Sequence, residues 1–176
     1  LEHQLKDSGA KAIVIIENFA ATLEKCIAQT PVQHVVLASM GDRLGMLKGS
    51  LVNYVVRNVK KMVPAFNLPQ GVRFNEALSK GRQQAFRKPE LCADDIAVLQ
   101  YTGGTTGVSK GAVLLHRNVI ANVLQSEAWN EPAMKRMPAG HQPTSVCALP
   151  LYHIFAFTVN MMLGLRMGGK TILIPN

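Results

Sequence analysis

The 176-residue chain has no long apolar run, no paired cysteines and no metal-ligand spacing. Its longest apolar stretch runs about 12 residues, from Ile154 to Leu165, and is interrupted by Thr158 and Asn160. A bilayer-spanning helix needs about 20 residues, so no transmembrane segment is read. The opening Leu-Glu-His-Gln-Leu-Lys-Asp is charged and does not read as a secretory signal. Cys26, Cys92 and Cys147 are odd in number and form no C-x-x-C pair, which points to reduced thiols and a cytoplasmic setting. The histidines (His3, His34, His116, His141, His153) lack zinc-site spacing, so no metal ligand is assigned. Repeats and low-complexity tracts are absent. Aromatic residues do not interleave the basic ones, which argues against a nucleic-acid partner.

What is present is a globular composition, 48% apolar and 17% charged. That length can bury a sizeable core. The net charge of +8 is uneven. Residues 1–88 hold 13 Lys/Arg against 6 Asp/Glu, and residues 89–176 hold 6 against 5.

Strand-like and helix-like segments alternate. Ala12–Ile16, His34–Ala38, Asp95–Tyr101, Thr144–Leu149 and Lys170–Ile174 read as strands, and Val113–Leu115 as a brief one. Leu1–Gly9 reads as the end of a helix. Asn18 is expected to cap a helix reaching about Ala28. Ser50–Val63 reads as a helix stopped by Pro64. Its valines share one face, and Asn53, Arg57, Lys60 and Lys61 share the other. Residues 64–93 read as loop with one short helix near Phe74–Lys80. His116–Trp129 and His153–Met167 read as helices. The expectation is an α/β fold, a mainly parallel sheet flanked by helices. Ligands of such sheets gather past the carboxyl ends of strands. Thr102–Lys110 and Pro150–His153 both lie past such ends and are expected at one site.

The stretch Tyr101-Thr102-Gly103-Gly104-Thr105-Thr106-Gly107-Val108-Ser109-Lys110-Gly111-Ala112 carries the most chemistry. Short hydroxyls, bare amides and one cation form a surface for phosphate oxygens. A Walker loop would need G-K-[ST] at its end, but Lys110 follows Ser109 and precedes Gly111. A dinucleotide fingerprint would need G-x-G-x-x-G, but Gly103, Gly104 and Gly107 give G-G-x-x-G. A plain polar surface turn stays open on composition alone.

In order and content, residues 99–112 resemble the phosphate-binding signature of the adenylate-forming enzymes, the superfamily of acyl-CoA synthetases, luciferases and adenylation domains. Ala148-Leu149-Pro150-Leu151-Tyr152-His153-Ile154-Phe155-Ala156 is similar to that family's next motif. Leu115-His116-Arg117-Asn118 stands where the family usually has Thr-His-Arg-Asn, with Leu in place of Thr. Gln33–Val36 and Pro89–Leu91 extend the likeness to bacterial long-chain fatty-acid–CoA ligases of fatty-acid degradation. Aryl-acid ligases, peptide-synthetase adenylation domains and a non-catalytic nucleotide- or membrane-binding module are the alternatives.

The resemblance implies ATP-dependent activation of a long-chain fatty acid to acyl-AMP, then transfer to coenzyme A. It implies that Tyr101 to Ala112 bind ATP, with the hydroxyls of Thr102, Thr105 and Thr106 on phosphates and Lys110 near the leaving pyrophosphate. It places His153 beside the substrate carboxylate and Phe157 one turn on, facing the acyl chain. Lys110 paired with a carboxylate or simply pointing to solvent, His153 packed on Tyr152 and Phe157 as a core aromatic remain the plainer readings. His116 and Arg117 are expected to brace the loop. Magnesium is expected with its ligands outside residues 1–176. The basic face of Ser50–Val63 is either solvated or a contact for anionic lipid, which implies a peripheral place on the inner face of the cell membrane. The chain opens without Met and closes after a strand. It is therefore expected to be one piece of the N-terminal AMP-binding domain, lacking the C-terminal domain and inactive alone.

Overall fold

A computed structural model describes residues 1–102, 107–138 and 140–174. These residues fall into two units, Leu1–Lys88 and Pro89–Asn176. The boundary coincides with the change in charge balance seen in the sequence.

In the first unit, β1 (Ala12–Ile16), β2 (His34–Ala38) and β3 (Gly71–Arg73) form a parallel sheet in that order. Ala12 pairs with His34, and Val35 with Gly71. The β-branched run Ile13–Ile16 suits a pleated strand. Ile13 and Ile15 pack on the core, while Val14 is 64% exposed. α1 (Glu2–Asp7) and α2 (Ala20–Glu24) contribute Leu5, Ala20 and Leu23 to a core completed by Cys26, Val35, Leu37 and Leu68.

The expected single helix from Asn18 to Ala28 does not form. A 3-10 turn at Glu17–Phe19, α2, and a second 3-10 turn at Ile27–Gln29 replace it. Asn18 caps nothing. Its Nδ2 donates to Met62 O at 3.1 Å, and its Oδ1 is buried without a partner among the described residues. The tertiary contact outcompetes the local cap.

α3 (Met46–Tyr54) begins four residues before the expected start and continues as a π-helical turn at Val55–Val59. Lys60 N–H donates to Val55 O across that wider turn at 2.7 Å. Lys61, at φ 51°, ends it ahead of Pro64. The expected valine face holds as far as Val56, which is buried, with Val52 and Val55 half-buried, and the π turn carries Val59 out of it to 63% exposure. On the other face Arg57 reaches Glu17, and Asn53 Oδ1 accepts from Gly41 N–H at 2.7 Å. Gly41 and Gly49 approach so closely that a Cβ on either would overlap the other's carbonyl oxygen. The helix thus turns Gly49, Val52, Asn53 and Val56 inward. It turns Met46, Leu47, Leu51 and Tyr54 outward.

β3 was not read from the sequence. It is three residues long, preceded by Pro69, and recognisable only through its pairing with β2. It leads directly into α4 (Phe74–Arg82).

At the carboxyl ends of these strands lies a buried carboxylate. Glu17, 2% exposed at its side chain, accepts from Arg57 Nε, Arg57 Nη2 and Arg73 Nη1, each at 2.9 Å. Arg57 Nη2 also donates to Ser39 Oγ at 3.0 Å. Burial pushes the Glu17 carboxyl up. The hydrogen bonds from Arg57, Arg73 and Ser39, with the Arg57 charge, outweigh it and hold the carboxyl below its usual range.

In the second unit, β4 (Ile96–Thr102) and β5 (Lys110–Leu115) form an antiparallel pair. α5 (His116–Met134) follows, running five residues past Trp129. β6 (Thr144–Cys147) pairs in parallel with β7 (Lys170–Leu173). Between them run a π-helical segment, Ala156–Leu163, and α6 (Gly164–Arg166). α5 packs on the π-helical segment. Asn160 pins that segment to the strands: its Nδ2 lies 3.4 Å from Ser145 Oγ and Val146 O, and its carbonyl accepts from Thr171 Oγ1 at 2.9 Å.

The fold is therefore α/β, with parallel pairing in two of the three sheets among the described residues. The antiparallel pair departs from the expected strand–helix alternation. Among the described residues no helix is long and apolar enough to cross a membrane.

Candidate functional site

The glycine-rich stretch connects β4 to β5 as a hairpin. Its first two residues and its last three are strand, so the strand expected to end at Tyr101 runs on to Thr102 and the one expected from Val113 begins at Lys110. Tyr101 pairs with Gly111, and Thr102 with Lys110. The apolar residues Val113–Leu115 extend the pairing and carry Lys110 into the ladder. Gly111 sits close beneath the Tyr101 ring: a Cβ would stand 3.1–3.3 Å from its atoms, and the ring would have to shift. Gly107, at φ 120°, occupies backbone space that side chains rarely enter. Val108 is 66% exposed. Gly103, Gly104, Thr105 and Thr106 lie outside the described residues.

The ladder spends some hydroxyls that the sequence offered to phosphate. Ser109 Oγ donates to Thr102 O at 3.0 Å, and Thr102 Oγ1 lies 3.5 Å from Lys110 O. Lys110 is exposed, and among the described residues no carboxylate forms an ion pair with it. The hairpin therefore presents an unneutralised ammonium opposite Thr102.

The second segment forms a tight turn after β6. His153 N–H donates to Pro150 O at 2.8 Å, and Phe157 N–H donates to His153 O at 2.9 Å as the helical path begins. His153 Nδ1 accepts from Phe155 N–H at 3.3 Å. An acceptor at Nδ1 leaves the ring proton of the neutral form on Nε2. His153 is exposed, and Phe157 is half-buried.

The hairpin and the turn meet. Gln100 Nε2, on β4, donates to Tyr152 O at 3.1 Å. A residue of β4 and one of the turn, about 50 residues apart in sequence, thus touch. Gln100 was not among the expected site residues. Its one signal in the sequence is a polar side chain directly after the apolar run Ile96–Leu99.

His116 and Arg117 do not brace the loop. They sit at the other end of β4. His116 N–H donates to Asp95 O at 3.0 Å, Arg117 N–H donates to Ala93 O at 2.9 Å, and Arg117 pairs with Asp94 at 2.7 Å. The Cys92 N–H, donated to Asp95 Oδ2 at 2.7 Å, holds the Asp95 carboxyl below its usual range. Leu115 proves to be the N-cap of α5. Asn118 Oδ1 accepts from Leu115 N–H at 2.9 Å, which is half of a capping box. Leu has no oxygen with which to return the other half.

The family model described as AMP-binding enzyme matches residues 1–176. A long-chain-fatty-acid–CoA ligase from Escherichia coli O157:H7 is 53% identical over 176 residues, covering 100% of this chain and 31% of that protein. Among solved structures, apo MatB from Rhodopseudomonas palustris superposes with a TM-score of 0.62 at 21% identity, covering 99% of this chain and 27% of that one. A long-chain-fatty-acid-CoA ligase from Archaeoglobus fulgidus superposes with a TM-score of 0.55 at 22% identity, covering 98% and 26%. These two structures share the fold. The chain spans about a third of the length of the curated relatives it matches.

Proposed function

The chain belongs to the AMP-binding enzyme family, and from that we propose that it supplies the triphosphate-binding hairpin and the carboxylate-positioning turn of a long-chain fatty-acid–CoA ligase. The observation that carries this reading is the 53% identity, spread over the whole chain, to a ligase of that name.

In the proposed reaction a fatty-acid carboxylate oxygen attacks the α-phosphorus of ATP. The bond from that phosphorus to the bridging oxygen breaks, and pyrophosphate leaves. Coenzyme A thiolate then attacks the acyl carbon and AMP leaves. Both steps ask for held charge and fixed geometry more than for covalent help from the protein. Tyr101 to Ala112 hold the triphosphate. Thr102, Thr105 and Thr106 offer hydroxyls, and Gly103, Gly104 and Gly107 offer amides. Lys110 offsets the charge that develops on pyrophosphate. His153, donating from Nε2, orients the carboxylate, and Phe157 faces the acyl chain. Among the described residues no cluster of three His, Cys, Asp or Glu could hold a metal. Magnesium is taken to arrive with ATP, with its protein ligands outside residues 1–176. The whole of residues 1–176 is read as one part of the AMP-binding domain.

A cytoplasmic site of action with a peripheral contact on anionic lipid belongs to the same reading. Its support is the outward face of α3, where Met46 and Leu47 are 86% exposed, Leu51 64% and Tyr54 61%, beside Lys48. Co-sedimentation with anionic vesicles at low and high salt tests it; no binding at low salt refutes it.

The function is tested in a ligase of the relatives' full length carrying residues 1–176 as its matching segment. Pyrophosphate exchange into ATP is expected to depend on added fatty acid, with long chains favoured. Exchange driven equally by aryl acids or amino acids would overturn the assignment. The 176-residue polypeptide alone is expected to form no acyl-CoA.

A further inference from the structure

The reading above leaves Gln100 without a task, yet its position is specific. It lies on β4, paired with Ala112 and two residues before Thr102. Its Nε2 donates to Tyr152 O at 3.1 Å, and lies 3.5 Å from Tyr101 O. The carbonyl it reaches belongs to the peptide unit joining Tyr152 to His153. The other polar atom of that unit, His153 N–H, donates to Pro150 O at 2.8 Å. Both polar atoms of a single peptide plane are therefore held. A planar peptide pinned at its oxygen and at its nitrogen cannot rotate about its flanking bonds. That fixes ψ of Tyr152 and φ of His153, and with them the direction in which the His153 side chain leaves the backbone.

The two bonds differ in kind. The one to Pro150 is local to the turn and travels with it. The one from Gln100 comes from the strand that carries the phosphate-binding hairpin. We infer that Gln100 is a positioning residue, which sets His153 in register with the triphosphate-binding hairpin by holding the Tyr152 carbonyl. The inference rests on the proposed ligase function. In that reaction the carboxylate oxygen and the α-phosphorus must approach to near-contact distance before they react. A device that ties the carboxylate-orienting group to the phosphate-binding strand fixes that approach.

Gln100→Met keeps length and volume and removes the donor. Gln100→Glu keeps shape but faces an ionised oxygen toward the Tyr152 carbonyl. Both are made in the full-length ligase carrying residues 1–176, alone and with His153→Ala. One neutral hydrogen bond of this kind corresponds to roughly a 2- to 10-fold effect. The expected result is a loss of that size in kcat for adenylate formation with Gln100→Met, and KM for ATP within about twofold of wild type. At neutral pH Gln100→Glu loses more. It recovers toward Gln100→Met or better as the introduced carboxyl protonates and becomes a donor, each rate taken relative to wild type at the same pH. In the His153→Ala background the Gln100→Met loss disappears, because a residue acting through His153 has nothing left to position. Full additivity of the two substitutions overturns the inference. So does an unchanged kcat in a Gln100→Met protein. A changed KM for ATP with unchanged kcat also overturns it, since it would place Gln100 in phosphate binding. If the wild-type segment supports no fatty-acid-dependent exchange, the ligase reading itself fails, which the first control distinguishes. A Gln100→Met protein with a lowered melting temperature is replaced by Gln100→Leu in the same cycle.

Discussion

Replacing Glu17 by Gln should destabilise the first unit more than any single surface change, without altering side-chain volume. The carboxylate is 2% exposed and accepts three charged hydrogen bonds at 2.9 Å from two arginines. Removing one partner of a fully buried ion pair costs about 3–5 kcal/mol, because the other charge is stranded. Here the arginine side chains are 41% and 52% exposed, so water recovers part of that loss. The expected cost is therefore about 2–3 kcal/mol. For a unit of this size that lowers the melting temperature by about 10–20 °C. Arg57→Ala should cost less, and Arg73→Ala at most about 1 kcal/mol, as for an exposed pair. The sign with pH follows from the lowered Glu17 carboxyl. A depressed carboxyl contributes stability in full above its unfolded value, 4.5. That contribution is lost as pH falls through the lower folded value. Acid should therefore weaken the wild-type unit in a step that Glu17→Gln lacks. The only tryptophan, Trp129, sits in the other unit, so its fluorescence is the wrong probe. Urea titration read by amide exchange over Ala12–Ile16 and His34–Ala38 reports the right one. A Glu17→Gln protein within about 0.5 kcal/mol of wild type, with an unchanged acid limb, would refute the account.

Lys110→Met in the full-length ligase should lower kcat for adenylate formation about 10²-fold with fatty-acid KM little changed, since it removes charge stabilisation at the leaving group; a pure KM effect contradicts that role. Gly41→Ala places a Cβ 2.7 Å from Asn53 Oδ1 and into the Gly49 carbonyl. It should cost at least about 1–3 kcal/mol, and amide exchange across Met46–Tyr54 should rise; a neutral result would mean that α3 docks more loosely than described. Asn118→Ala removes the acceptor of Leu115 N–H at the start of α5 and should cost about 1 kcal/mol in a denaturation curve; no change would show that water replaces the side chain without penalty.

The β-branched runs at Ala12–Ile16 and His34–Ala38 announced their strands to the residue, because local preference and tertiary pairing agree there. The proposed site is legible as composition: Thr, Gly and Lys at Thr102–Lys110 make a surface for phosphate oxygens, and their order resembles the family's signature. Their geometry was not legible, since the hairpin depends on Lys110–Leu115 finding Ile96–Thr102, and a six-residue partner strand with Lys and Gly in it carries weak local preference. The faces of α3 held as far as Val56 and failed after it. Assigning faces assumes 3.6 residues per turn, and the π turn at Val55–Val59 breaks that period and leaves Val59 exposed. Asn18 failed because a cap is a local prediction, and a carbonyl 44 residues away claimed the side chain. Gln100 showed itself only as a polar side chain after an apolar run; its partner is a backbone oxygen, which leaves no trace in residue types.

The hairpin has a consequence for how this segment can vary. Thr102 and Lys110 are ladder neighbours, so the seven intervening positions are closed by the sheet whatever their content. Loop-closure entropy rises by only about 0.6 kcal/mol for each doubling of the length between two paired positions. One or two residues inserted between Gly103 and Ser109 would hardly register in a stability measurement. The fold thus exerts almost no pressure on the length of its most informative stretch. A family of sequences that nonetheless kept the spacing from Thr102 to Lys110 would be recording the dimensions of what the loop encloses.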